Sequence, residues 1–244
     1  MTKAYEDKVV LVTGANAGIG EAIAAAFAEA GAKVYAVARR KDALEAARAR
    51  HPRIHWVLAD VAHASQVDAA VQGIVREAGR LDVVVNNAGI FTFGPLEQVT
   101  EEAMRSQFEV NVFGATFVAK AALPALKASR GSIVNISSAA GHKPAPGGSV
   151  YGATKAALES LTRSWALELA GAGVRVNAIA PGPIATVGFK KLAPEMQRAF
   201  VSQAPLGRAG TEEEIAHWVV AIADPSVTWV TGQVLSVDGG MSLS

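Results

Sequence analysis

Residues 8–20 read KVVLVTGANAGIG, an apolar run followed by a glycine-rich turn. The apolar run predicts a buried strand, and an alanine-rich helical pattern begins at Ile19. Gly14, Gly18 and Gly20 therefore fall between a strand and a helix. Glycines at such a turn let the backbone approach a phosphate, and the free N–H groups of the helix N-terminus attract its negative charge. The stretch predicts a pyrophosphate-binding loop, and a plain tight turn is the alternative.

The alternation of strand and helix continues along the chain. Predicted strands cover 8–13, 33–38, 54–59, 83–86, 132–137, 174–180 and 233–237. Predicted helices cover 19–30, 42–50, 64–78, two stretches within 101–127, 151–170 and 211–223, and 181–194 is predicted as a loop. Thr211 and Glu214 have the spacing of a capping box at the start of the last helix. Because strands that are apolar on both sides belong in parallel sheets covered by helices, we predict an α/β fold: one doubly wound parallel sheet of about seven strands with helices on both faces.

The composition limits the class of protein. The 244 residues are half apolar and carry no Pro/Gly/Ser-rich linker, so we expect one domain over 1–244. The net charge is +1, and the basic cluster 39–41 is too short for a nucleic-acid face. No window approaches the ~18 apolar residues of a membrane span, and we see no signal peptide. Since cysteine is absent, disulfides and thiolate metal sites are excluded. We expect a cytoplasmic protein without nucleic-acid, membrane or metal partners.

The end of the second predicted strand indicates which dinucleotide the loop binds. An acid at this place would bind the ribose 2′-hydroxyl of NAD. The chain instead has Ala38, followed by Arg39 and Arg40. A guanidinium can form forked hydrogen bonds to a 2′-phosphate, so the pattern predicts NADP(H). NAD(H) remains the alternative, because both arginines could be solvated loop residues. Asp42 is interpreted as the N-cap of the next helix.

Tyr151 and Lys155 lie four residues apart on a predicted helix, which places them on one face. A tyrosine with a pKa near ~10 is a poor base, and an adjacent ammonium favours its phenolate. The pair therefore suits proton transfer to or from a carbonyl oxygen. Ser137 and Ser138 end one predicted strand and 86–89 ends another, at the edge where open α/β sheets bind ligands. Either serine could hold a substrate oxygen on which charge develops.

These motifs, in this order and spacing, resemble those of the classical short-chain dehydrogenase/reductase family over nearly the whole chain. The resemblance implies a Rossmann-type sheet. It implies a catalytic set of Asn111, Ser138, Tyr151 and Lys155, with the family's spacing favouring Ser138 over Ser137. It also implies a set of cofactor-binding residues, which are Gly14, Asn16, Gly18, Ile19, Gly20, Arg39, Arg40, Asp60, Val61, Asn86, Ala88, Gly89, Tyr151, Lys155, Pro181, Gly182, Ile184 and Thr186.

The resemblance further implies a role for each catalytic residue. In the direction of reduction, hydride passes from the nicotinamide to a carbonyl carbon, Tyr151 donates its proton to the oxygen, and Ser138 orients that oxygen. Lys155 binds the nicotinamide ribose and lowers the pKa of the tyrosine. Asn111 supports a chain of water molecules that returns the proton. The same steps run backwards in oxidation.

Substrate and assembly are less closely defined. The resemblance implies a small carbonyl or alcohol substrate, a lid around 183–205, and a homotetramer built on alanine-rich helices at 115–128 and 153–170. Phe91, Phe93 and Phe189 indicate either a partly apolar pocket or packing under a loop. Lys190 and Lys191 could attract an acidic group or be solvated. The alternatives are a 3-oxoacyl-carrier-protein reductase and an NAD-dependent sugar or polyol dehydrogenase. A cofactor-sensing regulator is a further alternative, against which the complete Ser/Tyr/Lys set argues.

Overall fold

The computed structural model describes residues 4–243, and a single parallel sheet lies at its centre. Its strands are β1 (Val9–Thr13), β2 (Lys33–Ala38), β3 (His55–Leu58), β4 (Val83–Asn86), β5 (Ser132–Ile136), β6 (Arg175–Pro181) and β7 (Val234–Val237). Their order across the sheet is β3–β2–β1–β4–β5–β6–β7, and every neighbouring pair is parallel. The chain therefore winds outward in both directions from β1 and β4. The predicted fold class is confirmed.

Helices cover both faces of the sheet. They are α1 (Gly18–Glu29), α2 (Lys41–Arg50), α3 (Ala64–Ala78), α4 (Glu101–Phe108), α5 (Ala115–Ser129), α6 (Ser149–Leu169), α7 (Val187–Lys190), α8 (Pro194–Val201) and α9 (Glu212–Ala223). Helices α1, α2 and α9 contribute to the apolar core on one face, and α3, α5 and α6 contribute to the core on the other. None of the helices in 4–243 is both long enough and apolar enough to cross a bilayer.

The central strands read as continuous apolar runs because their residues belong to the cores on both faces of the sheet. In β1, Val10 and Val12 belong to the core beneath α1 and α9, whereas Val9 and Leu11 belong to the core beneath α3 and α5. Successive side chains of a strand point to opposite faces, so a sheet buried on both faces needs an apolar residue at every position. All five residues of β1 are accordingly buried.

The structure corrects two predictions about the segments near the cavity. The stretch 181–194 is not wholly a loop, because β6 extends to Pro181 and α7 lies inside the stretch. Helix α8 was not predicted at all, although it begins with Pro194, a residue that suits the first turn of a helix. Both helices are short, and in short helices the apolar periodicity on which the prediction rests is weak. The single domain and the lid around 183–205 stay predictions.

The predicted N-caps of α9 and α2 differ in outcome. The predicted capping box of α9 is confirmed, since the Thr211 hydroxyl accepts from the Glu214 N–H at 3.2 Å and the Glu214 carboxylate accepts from the Thr211 N–H at 2.8 Å. The predicted cap of α2 is wrong. Arg40 occupies the N-cap without a side-chain bond, and Asp42 lies within the first turn. A carboxylate in the first turn still interacts favourably with the helix dipole, which explains its place.

The two helices predicted within 101–127 are joined by a different kind of helix. A π-helical segment, Glu109–Gly114, follows α4 directly and leads into α5. π-Helical segments are rare in proteins, and those that do occur are often found at functional sites. Asn111, one of the predicted catalytic residues, lies in this segment.

Candidate active site

A cavity of about 250 Å³ opens at the carboxyl edge of the sheet. Parallel pairing brings the carboxyl ends of the strands to the same edge, so residues far apart in sequence share this cavity. Many of the predicted site residues line it, namely Ile19, Gly89, Ser138, Tyr151, Lys155, Pro181, Gly182, Ile184 and Thr186. Tyrosine, serine and lysine of the predicted catalytic set are therefore brought together.

Ser138 and Tyr151 form the polar centre of the cavity. The Ser138 hydroxyl accepts a hydrogen bond from the Ala140 N–H at 3.2 Å and hydrogen-bonds to Tyr151. Burial raises the pKa of Tyr151, and the bond from Ser138 lowers it, with a net rise. This direction is opposite to the lowering that the sequence analysis expects from Lys155, because the protein surroundings desolvate the phenolate more than they stabilise it. Tyr151 is therefore protonated near neutral pH.

Lys155 is buried beside the tyrosine. Its Nζ donates to the Ile136 carbonyl at 2.8 Å and lies 5.6 Å from the centroid of the Tyr151 ring. Burial lowers the pKa of Lys155 to about 8, and the charge of Glu159 partly opposes that lowering. The ammonium therefore titrates close to neutral pH, unlike a solvated lysine.

Ser137 points into a different cluster from Ser138. Its hydroxyl donates to Glu159 Oε1 at 2.8 Å, and this buried carboxylate also contacts His142 Nδ1 at 3.2 Å and Arg163 Nη2 at 3.7 Å. The contact occupies Ser137 and leaves Ser138 as the serine beside Tyr151. Sequence reasoning missed Glu159. The available signal was its spacing of four residues from Lys155, which places it on the same face of α6.

Asn111 connects three segments and does not line the cavity. Its Oδ1 accepts from the Ile90 N–H at 2.8 Å, and its Nδ2 donates to the Ile90 carbonyl at 2.9 Å and to Thr154 Oγ1 at 3.0 Å. The side chain thus ties the loop after β4 to α6. Its role in a water relay stays a prediction. Thr154, which the sequence analysis did not single out, supports it from between Tyr151 and Lys155.

The glycines of the predicted phosphate loop are required by close approach and by backbone conformation. Gly14 and Gly18 have φ values of 63° and 64°, where other residues are strained. A Cβ on Gly20 would lie 2.3 Å from Asn87 Nδ2, so a side chain cannot fit there. Helix α1 begins after Ala17 without a side-chain cap, which leaves its first N–H groups free of side-chain partners in the loop. These features fit a bound pyrophosphate.

The turn after β4 holds the phosphate loop in place. Thr13 Oγ1 accepts from the N–H groups of Asn87 and Ala88, each at 3.0 Å, and Asn87 Nδ2 donates to the Gly14 carbonyl at 3.1 Å. Asn86 is buried inside the sheet, where its Nδ2 donates to Asn135 Oδ1 at 2.9 Å. Asn86 and Ala88 therefore support the site from behind, and neither lines the cavity.

Two arginines follow β2, where a ribose 2′ substituent would lie in a fold of this kind. Ala38 is buried at the end of the strand, while Arg39 and Arg40 are exposed. Within residues 4–243, neither guanidinium forms an ion pair or a hydrogen bond. They therefore remain available to an anion.

The remaining predicted cofactor residues lie around the loop. Asp60 Oδ1 accepts from the Ala62 N–H at 3.0 Å, and Val61 is buried. The Asn16 carbonyl accepts from Arg50 Nη2 at 3.2 Å. Arg50, which sequence reasoning missed, thereby ties α2 to the phosphate loop. The described part of the chain holds no cluster of three histidine, aspartate or glutamate side chains that could bind a metal.

Comparisons with known proteins agree with this arrangement. The family described as Enoyl-(Acyl carrier protein) reductase matches residues 14–242. An uncharacterized oxidoreductase of Methylorubrum extorquens is 42% identical, with 97% of this chain and 98% of the relative covered. The 3-oxoacyl-[acyl-carrier-protein] reductase FabG of Thermotoga maritima is 39% identical, with the same shares covered. The crystal structure of a 3-ketoacyl-(acyl-carrier-protein) reductase from Brucella melitensis, complexed with NADH, superposes with a TM-score of 0.91 at 33% identity, covering 97% of this chain and 99% of that one.

Proposed function

The chain belongs to the classical short-chain dehydrogenase/reductase family, and from that premise we propose an NADP(H)-dependent oxidoreductase that interconverts a ketone or aldehyde and an alcohol. The observation that carries the proposal is the meeting of Tyr151, Ser138 and Lys155 in one cavity at the carboxyl edge of the sheet. The glycine loop opens on the same edge. A proton donor, a hydroxyl for the substrate oxygen and a place for a dinucleotide thus lie together.

The residues divide the chemistry between them. A bound nicotinamide cofactor supplies or accepts the hydride. Tyr151 donates its proton to the carbonyl oxygen, and its raised pKa keeps that proton in place until it is transferred. The Ser138 hydroxyl donates a hydrogen bond to the same oxygen as negative charge develops. Lys155 contributes positive charge next to the tyrosine while its Nζ stays anchored on the Ile136 carbonyl. A protonated Tyr151 is the form of the side chain that reduction requires.

Preference for NADP(H) over NAD(H) rests on the end of β2. No carboxylate stands at Ala38 to repel a 2′-phosphate, and the guanidinium groups of Arg39 and Arg40 have no partner elsewhere in 4–243. Hydrogen bonds to charged groups contribute roughly 1.5–3 kcal/mol, and exposure to solvent reduces this. We expect a preference of about tenfold for NADPH.

A second candidate function is the reduction of 3-oxoacyl thioesters. The names of two relatives favour it, since both are reductases of acyl groups on carrier proteins. Its substrate would carry an acidic phosphopantetheine arm, for which Lys190 and Lys191 of the lid are the basic residues that the sequence analysis considered.

Turnover of reduced cofactor tests the proposal. NADPH oxidation is measured with a panel of ketones, aldehydes, an acetoacetyl thioester and a keto sugar, and each active substrate is repeated with NADH. Consumption of NADPH with a ketone or aldehyde, and alcohol as product, is the expected result. No turnover with any member of the panel contradicts the proposed activity. A higher kcat/KM for the thioester than for every simple ketone selects the second candidate.

Assembly and location are also proposed from the family. We infer a homotetramer through the outer faces of α5 and α6 and through the C-terminal strand region. It is supported by two exposed apolar residues, Leu167 of α6 at 83% and Trp229, in the segment before β7, at 98%. Light scattering at micromolar concentration tests it, and a monomeric mass contradicts it. A cytoplasmic location is proposed as well, and fractionation of the source cells tests it.

A further inference from the structure

We propose that the preferred substrate is a small, uncharged aryl ketone or aryl aldehyde whose ring packs between the loop after β4 and the lid. The inference rests on the proposed function and names its substrate class. It is drawn from a connected set of phenylalanine rings that extends from the catalytic tyrosine to helix α8.

The rings begin next to the phenol of Tyr151. Phe91 and Phe93 have ring centroids 6.1 Å and 5.9 Å from that of Tyr151 and lie 5.7 Å from each other. All three pairs are tilted or edge-on, which is the favourable geometry for aromatic contacts. The substituent of a carbonyl group that hydrogen-bonds to Tyr151 is therefore within reach of the two phenylalanines.

Two further rings, from α7 and α8, extend this set of phenylalanines, and the four rings together are called the aromatic wall. The Phe200 ring on α8 lies 6.1 Å from Phe93, and Phe189 on α7 lies 6.5 Å from Phe200. These rings are only partly buried, and Phe91 is 49% exposed, so they line the cavity and do not form a closed core. Large apolar side chains around an open concave site are typical of a ligand pocket.

The phenylalanine part of the cavity offers no hydrogen-bond donor or counter-ion to a charged substituent. The cationic residues that line the cavity are Lys143 and Lys155, and the lining of the described cavity contains no arginine or carboxylate. Lys143 Nζ donates to the Met241 carbonyl at 2.6 Å, and Lys155 is anchored on the Ile136 carbonyl. Lys190 does not line the cavity and interacts instead with Glu212, whose pKa is raised by burial and by Glu213, a rise that the charge of Lys190 partly opposes. A carboxylate or phosphate in the aromatic part would be buried without a partner, which is costly.

The size of the cavity favours a single ring. Ligand pockets commonly measure roughly 300–1,000 Å³, and this cavity of about 250 Å³ lies below that range. Part of its lining, including Gly182 and Thr186, belongs to the predicted cofactor site. The remaining space suits one aromatic ring with a short carbonyl arm better than a long acyl chain.

Two matched pairs of substrates separate the effect of the aromatic ring on kcat/KM from the effect of a negative charge. Acetophenone is compared with cyclohexyl methyl ketone, which has a ring of the same number of atoms without a π face. 4-Methylacetophenone is compared with 4-acetylbenzoate, which adds a negative charge. An acetoacetyl thioester of N-acetylcysteamine is the third class. For each compound, kcat/KM with NADPH is measured, and binding to the protein is measured independently by titration calorimetry.

We expect acetophenone to exceed the cyclohexyl ketone by about two- to tenfold, the range that one aromatic pair supplies. The carboxylate should reduce kcat/KM by at least about tenfold. Phe93→Leu removes one of the two rings next to Tyr151 and should abolish the preference, so that the two ketones have equal kcat/KM. Trp218→Leu, which removes a partly exposed aromatic ring on α9 outside the cavity, should leave the preference intact.

Each other result overturns the inference. Three results contradict the inference while the proposed oxidoreductase activity stands. The first is an equal kcat/KM for acetophenone and the cyclohexyl ketone, and the second is a higher kcat/KM for the thioester than for acetophenone. The third is a preference for the aryl ring that survives in Phe93→Leu. If no compound is turned over, the proposed function fails, and the calorimetric ratio of the two ketones still decides whether the pocket selects an aromatic ring.

Discussion

The two sides of the active-site cavity are built in different ways. On the side of the phosphate loop, Thr13 and Asn87 join two strand ends through hydrogen bonds of 2.9–3.1 Å. On the side of the lid, α7 and α8 contain no buried residue, and rings such as Phe93 and Phe200 make the contacts across the cavity. The first side is a hydrogen-bonded extension of the sheet, and the second is a set of apolar contacts on short helices.

The difference teaches which properties each side controls. A segment with few buried apolar contacts opens locally at low free energy, whereas a segment bonded to central strands opens only with the sheet. The phosphate loop is therefore preorganised for a ligand that is common to many reactions. The short helices α7 and α8, which contain no buried residue, are the side that we propose selects the substrate. Tyr151 lies where the two sides meet.

The largest effect is expected where the two sides meet. Tyr151→Phe removes the proton donor but retains the ring that Phe91 and Phe93 contact. General acids contribute typically ~10²–10⁴-fold, so kcat should fall by that factor while the fold and NADPH binding are retained. Steady-state kinetics, with circular dichroism and cofactor titration as controls, check this. If the variant keeps more than about a tenth of the wild-type kcat, Tyr151 is not the proton donor.

The second prediction concerns pH. Burial lowers the pKa of Lys155 to about 8, so the folded protein releases this proton at a lower pH than the unfolded chain does. Below about pH 8 the ammonium is present. Above it, activity that needs this charge falls about tenfold per pH unit. The profile of kcat/KM for reduction, measured from about pH 6.5 to about pH 9.5 with NADPH binding as the control, checks this. A flat profile across pH 8 contradicts the role of the charge.

The third prediction tests the loop side alone. Ala38→Asp combined with Arg39→Ile introduces a carboxylate that accepts bonds from a free ribose and removes one guanidinium. The preference for NADPH, expected to be about tenfold, should move toward NADH, with kcat on the better cofactor little changed. The ratio of kcat/KM for the two cofactors is measured on one substrate. Arg198→Ile, which removes an exposed lid guanidinium, is the matched control. A wild-type preference for NADH would show that Arg39 and Arg40 are solvated loop residues only.

The smallest effect is expected at the start of α9, which packs against α1 on the side of the phosphate loop. Thr211→Ala removes the N-cap of α9, the helix that follows the lid. Loss of such a cap typically costs about 1 kcal/mol, which lowers Tm by about 2–4 °C in a protein of this size. Thr211→Ser keeps the cap and serves as the control in thermal unfolding monitored by circular dichroism. An unchanged Tm for the alanine variant would mean that the capping box contributes nothing to stability.

Most of the loop side could be predicted from the sequence because its signals are local. The spacing of Gly14, Gly18 and Gly20, the apolar strands and the Tyr151–Lys155 pair are each contained in a short stretch. The period of the apolar residues determines the secondary structure, and the parallel topology then sends every strand end to the same edge. The sequence therefore predicts the sheet, its two buried faces and the edge at which the site residues meet.

Only the tertiary structure decided the rest, because those features depend on contacts between distant residues. The separation of Ser137 from Ser138 depends on Glu159, which belongs to another element. The direction of the Tyr151 pKa depends on desolvation, which no spacing in the sequence reports. The aromatic wall depends on Phe200, whose helix α8 is too short for a clear periodic pattern and meets Phe93 only across the cavity. Local sequence patterns determined the phosphate-loop side of the cavity, and long-range packing determined its aromatic side.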